Sequence, residues 1–131
     1  MPPAARTLGL EVLAVDPDAG TIDLTFTAPE AFTNPAGNVL GAFLAAMLYD
    51  TVGPALLATL GPDEFQSTMD MQTTFRNPVR PGRIAAHGWV ANRVGDVASL
   101  AAELTRADGA VIATATATAR VIPLPEAAAA P

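Results

Sequence analysis

The stretch from Gly41 to Leu60, GAFLAAMLYDTVGPALLATL, is apolar for nearly the length of a membrane span and carries Asp50 as its only charge. A transmembrane helix is the first possibility such a run raises, since roughly 20 apolar residues cross a bilayer. Asp50 near its centre, the Gly53-Pro54 pair and the lack of a flanking Lys/Arg bias argue against it. In a water-soluble chain, a helix apolar on all faces must be wrapped on most sides by the rest of the fold. The run therefore predicts a central core helix. A kink or break is expected near Asp50 to Gly53, because Pro54 deprives the Asp50 carbonyl of its intrahelical donor.

The rest of the chain reads as strands. Leu8 to Val15 and Thr21 to Thr27 flank the turn-rich Asp16-Pro17-Asp18-Ala19-Gly20, and the second run alternates Ile22, Leu24, Phe26 against Asp23, Thr25, Thr27. Beyond the helix, Gly61-Pro62-Asp63 ends it. Phe65 to Arg76 then places Met69, Met71, Thr73 and Phe75 on one side and Thr68, Asp70, Gln72 and Thr74 on the other. After the turn Asn77 to Gly82, strands are expected over Arg83 to Asn92, Val97 to Arg106 and Ala110 to Ile122. Their joints lie at Val94-Gly95-Asp96 and Ala107-Asp108-Gly109. This order predicts an α+β domain over residues 1–122, an antiparallel sheet of five to six strands wrapped around one long helix. The Pro/Ala-rich tail 123–131 is expected to fray. One sheet cannot surround a helix, so an uncovered flank or edge strand is expected to be closed by a second subunit, making a homodimer.

Composition narrows the chemistry. The absence of Cys excludes disulfide scaffolds, thiolate metal sites and Cys nucleophiles. The lone His87, only two Ser (Ser67 and Ser99) and no G-x-S-x-G leave little room for a Ser-His-Asp hydrolase, and no His cluster exists for zinc. A net charge of −6, with seven scattered Arg and no Lys, repels a phosphate polyanion, so no nucleic acid is expected as a partner. MPPAARTLGLE has neither the apolar run of a signal peptide nor the Arg-rich pattern of a transit sequence, and a cytoplasmic location is expected. Chemistry must come from carboxylates, hydroxyls, amides and the backbone.

Three runs carry a family resemblance: Asn34-Pro35-Ala36-Gly37; Leu40-Gly41-Ala42-Phe43-Leu44-Ala45-Ala46-Met47-Leu48; and Phe75-Arg76-Asn77-Pro78-Val79-Arg80-Pro81-Gly82. In order and spacing the chain resembles the hotdog-fold acyl-CoA thioesterases of the phenylacetate-degradation (PaaI-like) type. The resemblance implies hydrolysis of an acyl-CoA thioester by water attack in a site shared across a subunit interface, in dimers that often pair into homotetramers. Coenzyme A is then part of the substrate and no separate cofactor is implied. That family usually carries Asn, then His-Gly-Gly at the helix start, then an acid eight residues after the first Gly. Here Asn34 and Gly41 keep the pattern. Leu40 replaces the His, Ala42 the second Gly, and Tyr49 occupies the carboxylate position with Asp50 directly after it. Thr68 stands where relatives place a Ser or Thr lining the site, and Asp96 follows Gly95 where relatives often have a basic residue.

Physical logic gives these positions roles. The thioester carbonyl becomes an oxyanion, and an unpaired N–H at a helix start, here Gly41, can hold it; glycine lets a ligand approach the backbone. A partly desolvated carboxylate such as Asp50 has a raised pKa and can orient or deprotonate water. Tyr49 and Asp50 differ by about 100° around a helix, so they are not expected to face one cleft equally; in the family register Tyr49 faces the thioester. A phenol, near 10 in model peptides, is a poor base but a good donor. The bland alternatives are a core aromatic for Tyr49, a structural acid for Asp50 and a turn former for Asn34. Arg76, Arg80, Arg83 and Arg93 are candidates for coenzyme A phosphates, and His87 is read as structural. The competing class is a non-hydrolytic hotdog protein that binds an acyl or aromatic ligand. A dehydratase would need a His on the helix or its approach, where none occurs.

Overall fold

The computed structural model describes residues 1–131. A six-stranded antiparallel sheet packs against one central helix: β1 (Glu11–Asp16), β2 (Thr21–Ala28), β3 (Glu64–Phe75), β4 (Gly82–Val94), β5 (Val97–Thr105) and β6 (Val111–Pro123). A short helix α1 (Pro3–Thr7) precedes β1, and the central helix α2 (Gly41–Leu57) lies between β2 and β3. The strand order β1-β2-β4-β5-β6-β3 makes β1 and β3 the two edges. This is the sheet around one helix that the element order predicts, and the hotdog fold that the resemblance implies.

Period-two patterning chooses the sheet's inner face. Ile22, Leu24, Phe26 and Ala28 of β2, Ile84 and Ala86 of β4, and Leu100, Ala102 and Leu104 of β5 are all buried. On β6 the Thr/Ala alternation turns Ala113, Ala115, Ala117 and Ala119 inward. Large side chains on the helix meet these small ones: Leu44, Met47, Leu48, Val52 and Leu56 are buried. Each such large apolar side chain contributes about 1.5–3 kcal/mol on burial, so these residues fix which face of α2 meets the sheet. Closest approach falls at Gly88 of β4, where a Cβ would lie 2.8 Å from Thr51 Cγ2 and 3.1 Å from the Thr51 carbonyl. The Thr51 hydroxyl is satisfied locally, donating to the Met47 carbonyl at 2.7 Å. The opposite side of α2 carries Ala42, Ala45 and Ala46, which have only methyl groups to lose to water, and that side is left open.

The structure corrects several expectations. The helix runs unbroken through Pro54 and stops at Leu57, not Leu60. It stops because three-residue turns take over, from Thr59 N to Leu56 O at 2.9 Å and from Leu60 N to Leu57 O at 3.1 Å, with the Thr59 hydroxyl also donating to Leu56 O at 2.7 Å. At 17 residues, it is not long and apolar enough to cross a membrane. The first strand begins at Glu11 and not Leu8, because residues 8–10 close α1, whose Leu8 carbonyl accepts from Thr27 N at 3.0 Å. β3 does not alternate throughout: a bulge between Thr68 and Asp70 turns Met69 outward, leaving it 54% exposed. In the tail, Leu124–Ala129 forms a 3-10 helix, with Leu124 N donating to Asp63 O at 2.8 Å.

Candidate active site

The start of α2 is built by the segment before it. A 3-10 turn, Glu30–Phe32, places Phe32 in a stacked contact with Phe43 of the helix's first turn, ring centroids 3.8 Å apart. From there Asn34 shapes the next loop: its Oδ1 accepts from Ala36 N at 3.0 Å and Asn38 N at 3.1 Å. Gly37 closes that loop at φ 83, and a Cβ there would collide with the Arg80 guanidinium. Asn34 therefore forms the turn, and it also lines a depression of about 350 Å³. Gly41, Asn38, Phe75, Arg76 and Pro78 line the same depression.

Leu40 caps α2 in extended geometry with no side-chain hydrogen bond, so the cap leaves the helix's leading amides free. Phe43 and Leu44 donate back to the Leu40 carbonyl, while the amides of Gly41 and Ala42 have no partner. Two donors and the positive end of the helix dipole thus lie beside Asn34 and Arg76. Space where Gly41 would carry a Cβ is occupied by the Phe75 ring at 3.3 Å, so glycine also serves packing here. The strand pattern marked Phe75 only as a β3 residue; its place over the helix start depends on where the strand ends.

Tyr49 and Asp50 lie elsewhere. They share an apolar groove of about 510 Å³ between α1 and α2, with Leu8, Ala42, Ala46 and Met71 among its walls. Both line this one groove because α1 supplies a wall that reaches across both positions. Tyr49 is 45% exposed and has no hydrogen-bond partner, so it is not a core aromatic. Burial raises the Asp50 carboxyl above the ordinary aspartate value, as a desolvated acid should be. Nothing in the sequence marks Leu8 or Met71 as groove residues, because Leu8 reads as the start of a strand, no helix is expected over residues 3–7, and Met71 reads as ordinary alternation.

The remaining candidates separate. Thr68 is buried, with its hydroxyl donating to Gln66 Oε1 at 3.0 Å, and lines neither depression. Gln66 in turn packs on Gly53, where a Cβ would meet its Nε2 at 2.8 Å. Arg80 holds the loop by donating to Ala36 O at 3.0 Å. It also lines a third depression beside the first, with Asn38 and Pro78 common to both. Arg93 sits apart from Arg76 and Arg80: it donates to Gly95 O at 2.9 Å and lies 3.8 Å from Glu64. His87 bonds Asp23 at 2.7 Å between adjacent strands, a structural role.

Within one chain, the Gly41 amide and the Asp50 carboxylate line different depressions, while Ala42 is a wall of the Asp50 groove. Gly41 and Asp50 are nine residues apart on one helix, about 13 Å along its axis.

Comparison with known proteins agrees with this architecture. A family model described as Thioesterase superfamily matches residues 36–113, more than half of the chain. Among solved structures, a phenylacetic acid degradation-related protein of Ralstonia eutropha JMP134 is 36% identical, with a TM-score of 0.89 over 92% of this chain and 90% of that one. A thioesterase of Haemophilus influenzae, 20% identical, superposes with a TM-score of 0.84 over 92% and 83% of the two chains. The PaaI protein of the Escherichia coli phenylacetic acid degradation operon, 16% identical, does so at 0.82 over 90% and 83%. The two lower identities speak for the fold alone. Among curated proteins nothing matches. Fold, element order and the match over most of the chain together make this protein a PaaI-like member of the thioesterase superfamily.

Proposed function

We propose that the protein hydrolyses acyl-CoA thioesters by water attack, in a site that two subunits complete together. The observation that carries this reading is the division along α2: unpaired amides at Gly41 and Ala42 at one end, and a carboxylate with raised pKa about 13 Å further on. A second copy of the chain, its helix running the opposite way, supplies the missing half at each end. Exposed Leu40, Tyr49, Met69 and Phe75, together with the open edge of β3, are the features such a copy would cover. The assembly proposed is a homodimer, with dimers pairing into a homotetramer as the larger form.

In that site Asp50 of one subunit takes a proton from water as the hydroxide adds to the thioester carbonyl carbon. The oxyanion is held by the Gly41 N–H of the other. Collapse breaks the C–S bond, and the thiolate leaves with the proton returned through Asp50, giving a free acid and coenzyme A. Tyr49 donates a hydrogen bond to the water or the acyl oxygen, and Asn34 positions the substrate through Nδ2. Thr68 acts from beneath as a positioning residue, holding Gln66 against the helix. Arg76 and Arg80, flanking the helix start, face the phosphates of coenzyme A, whereas Arg93 is placed with Glu64 and is set aside. A cytoplasmic location fits such a substrate.

A second reading, binding without turnover, draws on Tyr49 standing where the family carries an acid. Thiol release from a panel of aliphatic and aromatic acyl-CoA thioesters decides between them. Saturable release supports hydrolysis; binding of the same thioesters with no free thiol overturns it.

A further inference from the structure

The groove between α1 and α2 has a direction. Its residues on the central helix, Ala42, Ala45, Ala46, Tyr49 and Asp50, stand at positions i, i+3, i+4, i+7 and i+8, which is one straight stripe of an α-helix. From Ala42 to Asp50 that stripe is about 12 Å long. Its two polar side chains lie together at one end, and the rest of it is methyl groups. The volume of about 510 Å³ is therefore drawn out along the helix as a trough. Tyr49 and Asp50 mark the end where a reacting carbonyl would sit, and the length beyond them is an apolar wall for whatever that carbonyl carries.

The facing wall is α1, and it is fixed in place although it has only five residues. Ala5 and Leu8 are buried against the core. The Ala5 carbonyl accepts from Leu10 N at 3.0 Å, and the Leu8 carbonyl accepts from Thr27 N at 3.0 Å, which ties the helix to β2. Ala4 stays at the surface and meets the groove from this side, again with only a methyl group. Met71 of β3 adds a flexible thioether that adapts to the width of a chain. Aromatic groups are recognised by ring faces and edges set against them. The only ring on these walls is Tyr49, at the reacting end. A phenylacetyl group with its carbonyl at Asp50 falls short of Ala42 and leaves the alanines beyond it uncovered. An unbranched alkyl chain runs along them, and each methylene it buries is worth about fourfold in binding.

We propose that α1 and the alanine face of α2 select the acyl group: the trough takes an unbranched aliphatic chain of medium length, its thioester at Tyr49 and Asp50, in preference to an aromatic acyl group. This rests on the hydrolytic reading above and adds the class of acyl group, with Ala4 and Ala45 as specificity-determining positions on the two walls.

The test follows kcat/KM over the butyryl, hexanoyl, octanoyl, decanoyl and phenylacetyl thioesters of coenzyme A. In wild type it should rise from butyryl to decanoyl, by up to about fourfold per methylene, and decanoyl should exceed phenylacetyl at least tenfold. In Ala45→Phe and in Ala4→Phe, which obstruct the trough from opposite walls, the decanoyl-to-butyryl ratio should fall at least tenfold. Because that ratio compares two substrates on one protein, a general loss of folding does not change it. S-decyl coenzyme A, a thioether that cannot be hydrolysed, should bind wild type by calorimetry at least tenfold more tightly than S-butyl coenzyme A, and both variants should lose that difference. A flat chain-length profile, a preference for phenylacetyl, an unchanged ratio in Ala4→Phe, or failure of either thioether to bind overturns the trough. Thioether binding that depends on chain length, Ala4 and Ala45 without hydrolysis of any thioester upholds the trough and overturns the hydrolytic reading alone.

Discussion

The two depressions along α2 are opposites. At the helix start are donors and one cation, the Gly41 amide with Arg76 and Asn34, and no acid lines it. Midway along the helix, the α1–α2 groove is mostly apolar and holds a carboxylate and a phenol but no cation. The first has no acid in its lining, and the second has no cation and does not include Gly41. On the hydrolytic reading proposed above, a complete site would draw on two helices, each presenting a different part of itself.

The largest effect should come from the acid. Asp50→Asn is expected to lower kcat by about 10²–10⁴-fold, the usual weight of a general base. In the wild type the acidic limb of the kcat–pH profile should lie above the ordinary aspartate range, because burial raises this carboxyl. The same shift has a stability consequence of opposite sense. Between the unfolded pKa and the raised folded one, the native state holds the proton more tightly, so stability is greatest below that window and declines as pH rises through it. Asp50→Asn removes this decline, and thermal melts of the two proteins from acid to neutral pH should show the variant gaining on the wild type as pH rises.

Next is the donor end. Asn34→Ala removes the acceptor for the Ala36 and Asn38 amides, costing about 1 kcal/mol of stability at this partly exposed turn. Activity should fall more than stability suggests, by about 10²-fold, because the displaced loop carries the positioning groups. Tyr49→Phe follows at about tenfold in kcat, the worth of one hydrogen bond in a transition state. Should Tyr49→Phe abolish turnover while Asp50→Asn keeps it, Asp50 is structural and the base assignment is wrong. Smallest is Gly41→Ala. A better helix former gains up to ~1 kcal/mol there, while the half-exposed Phe75 ring must yield a few tenths of an ångström, so melts should barely move and kcat should drop only a few-fold.

The fold was readable because its evidence is local and repeated. The Thr/Ala alternation of β6 and the Ile22-Leu24-Phe26 alternation of β2 each announce a face, and a uniformly apolar helix requires a sheet around it. What misled was the short-range chemistry at element ends: Pro3 starting a five-residue helix, Thr59 closing α2 early, and a bulge turning Met69 outward. For the site, Asn34, Gly41, Tyr49 and Asp50 could be singled out through the family resemblance, but their division between two depressions could not. That division depends on α1 folding over the helix and on Phe75 lying against Gly41, both set by tertiary packing.

Subunit complementation tests the central claim most directly. Asn34→Ala and Asp50→Asn, each nearly inactive alone, are unfolded, mixed in equal amounts and refolded together. If the donor end of one subunit works with the acid of the other, half of the dimers are mixed and each mixed dimer carries one intact site of two, so the mixture should recover about a quarter of wild-type activity. Activity that stays at the level of the separate variants, in a mixture shown to contain mixed dimers, would contradict a site shared between subunits.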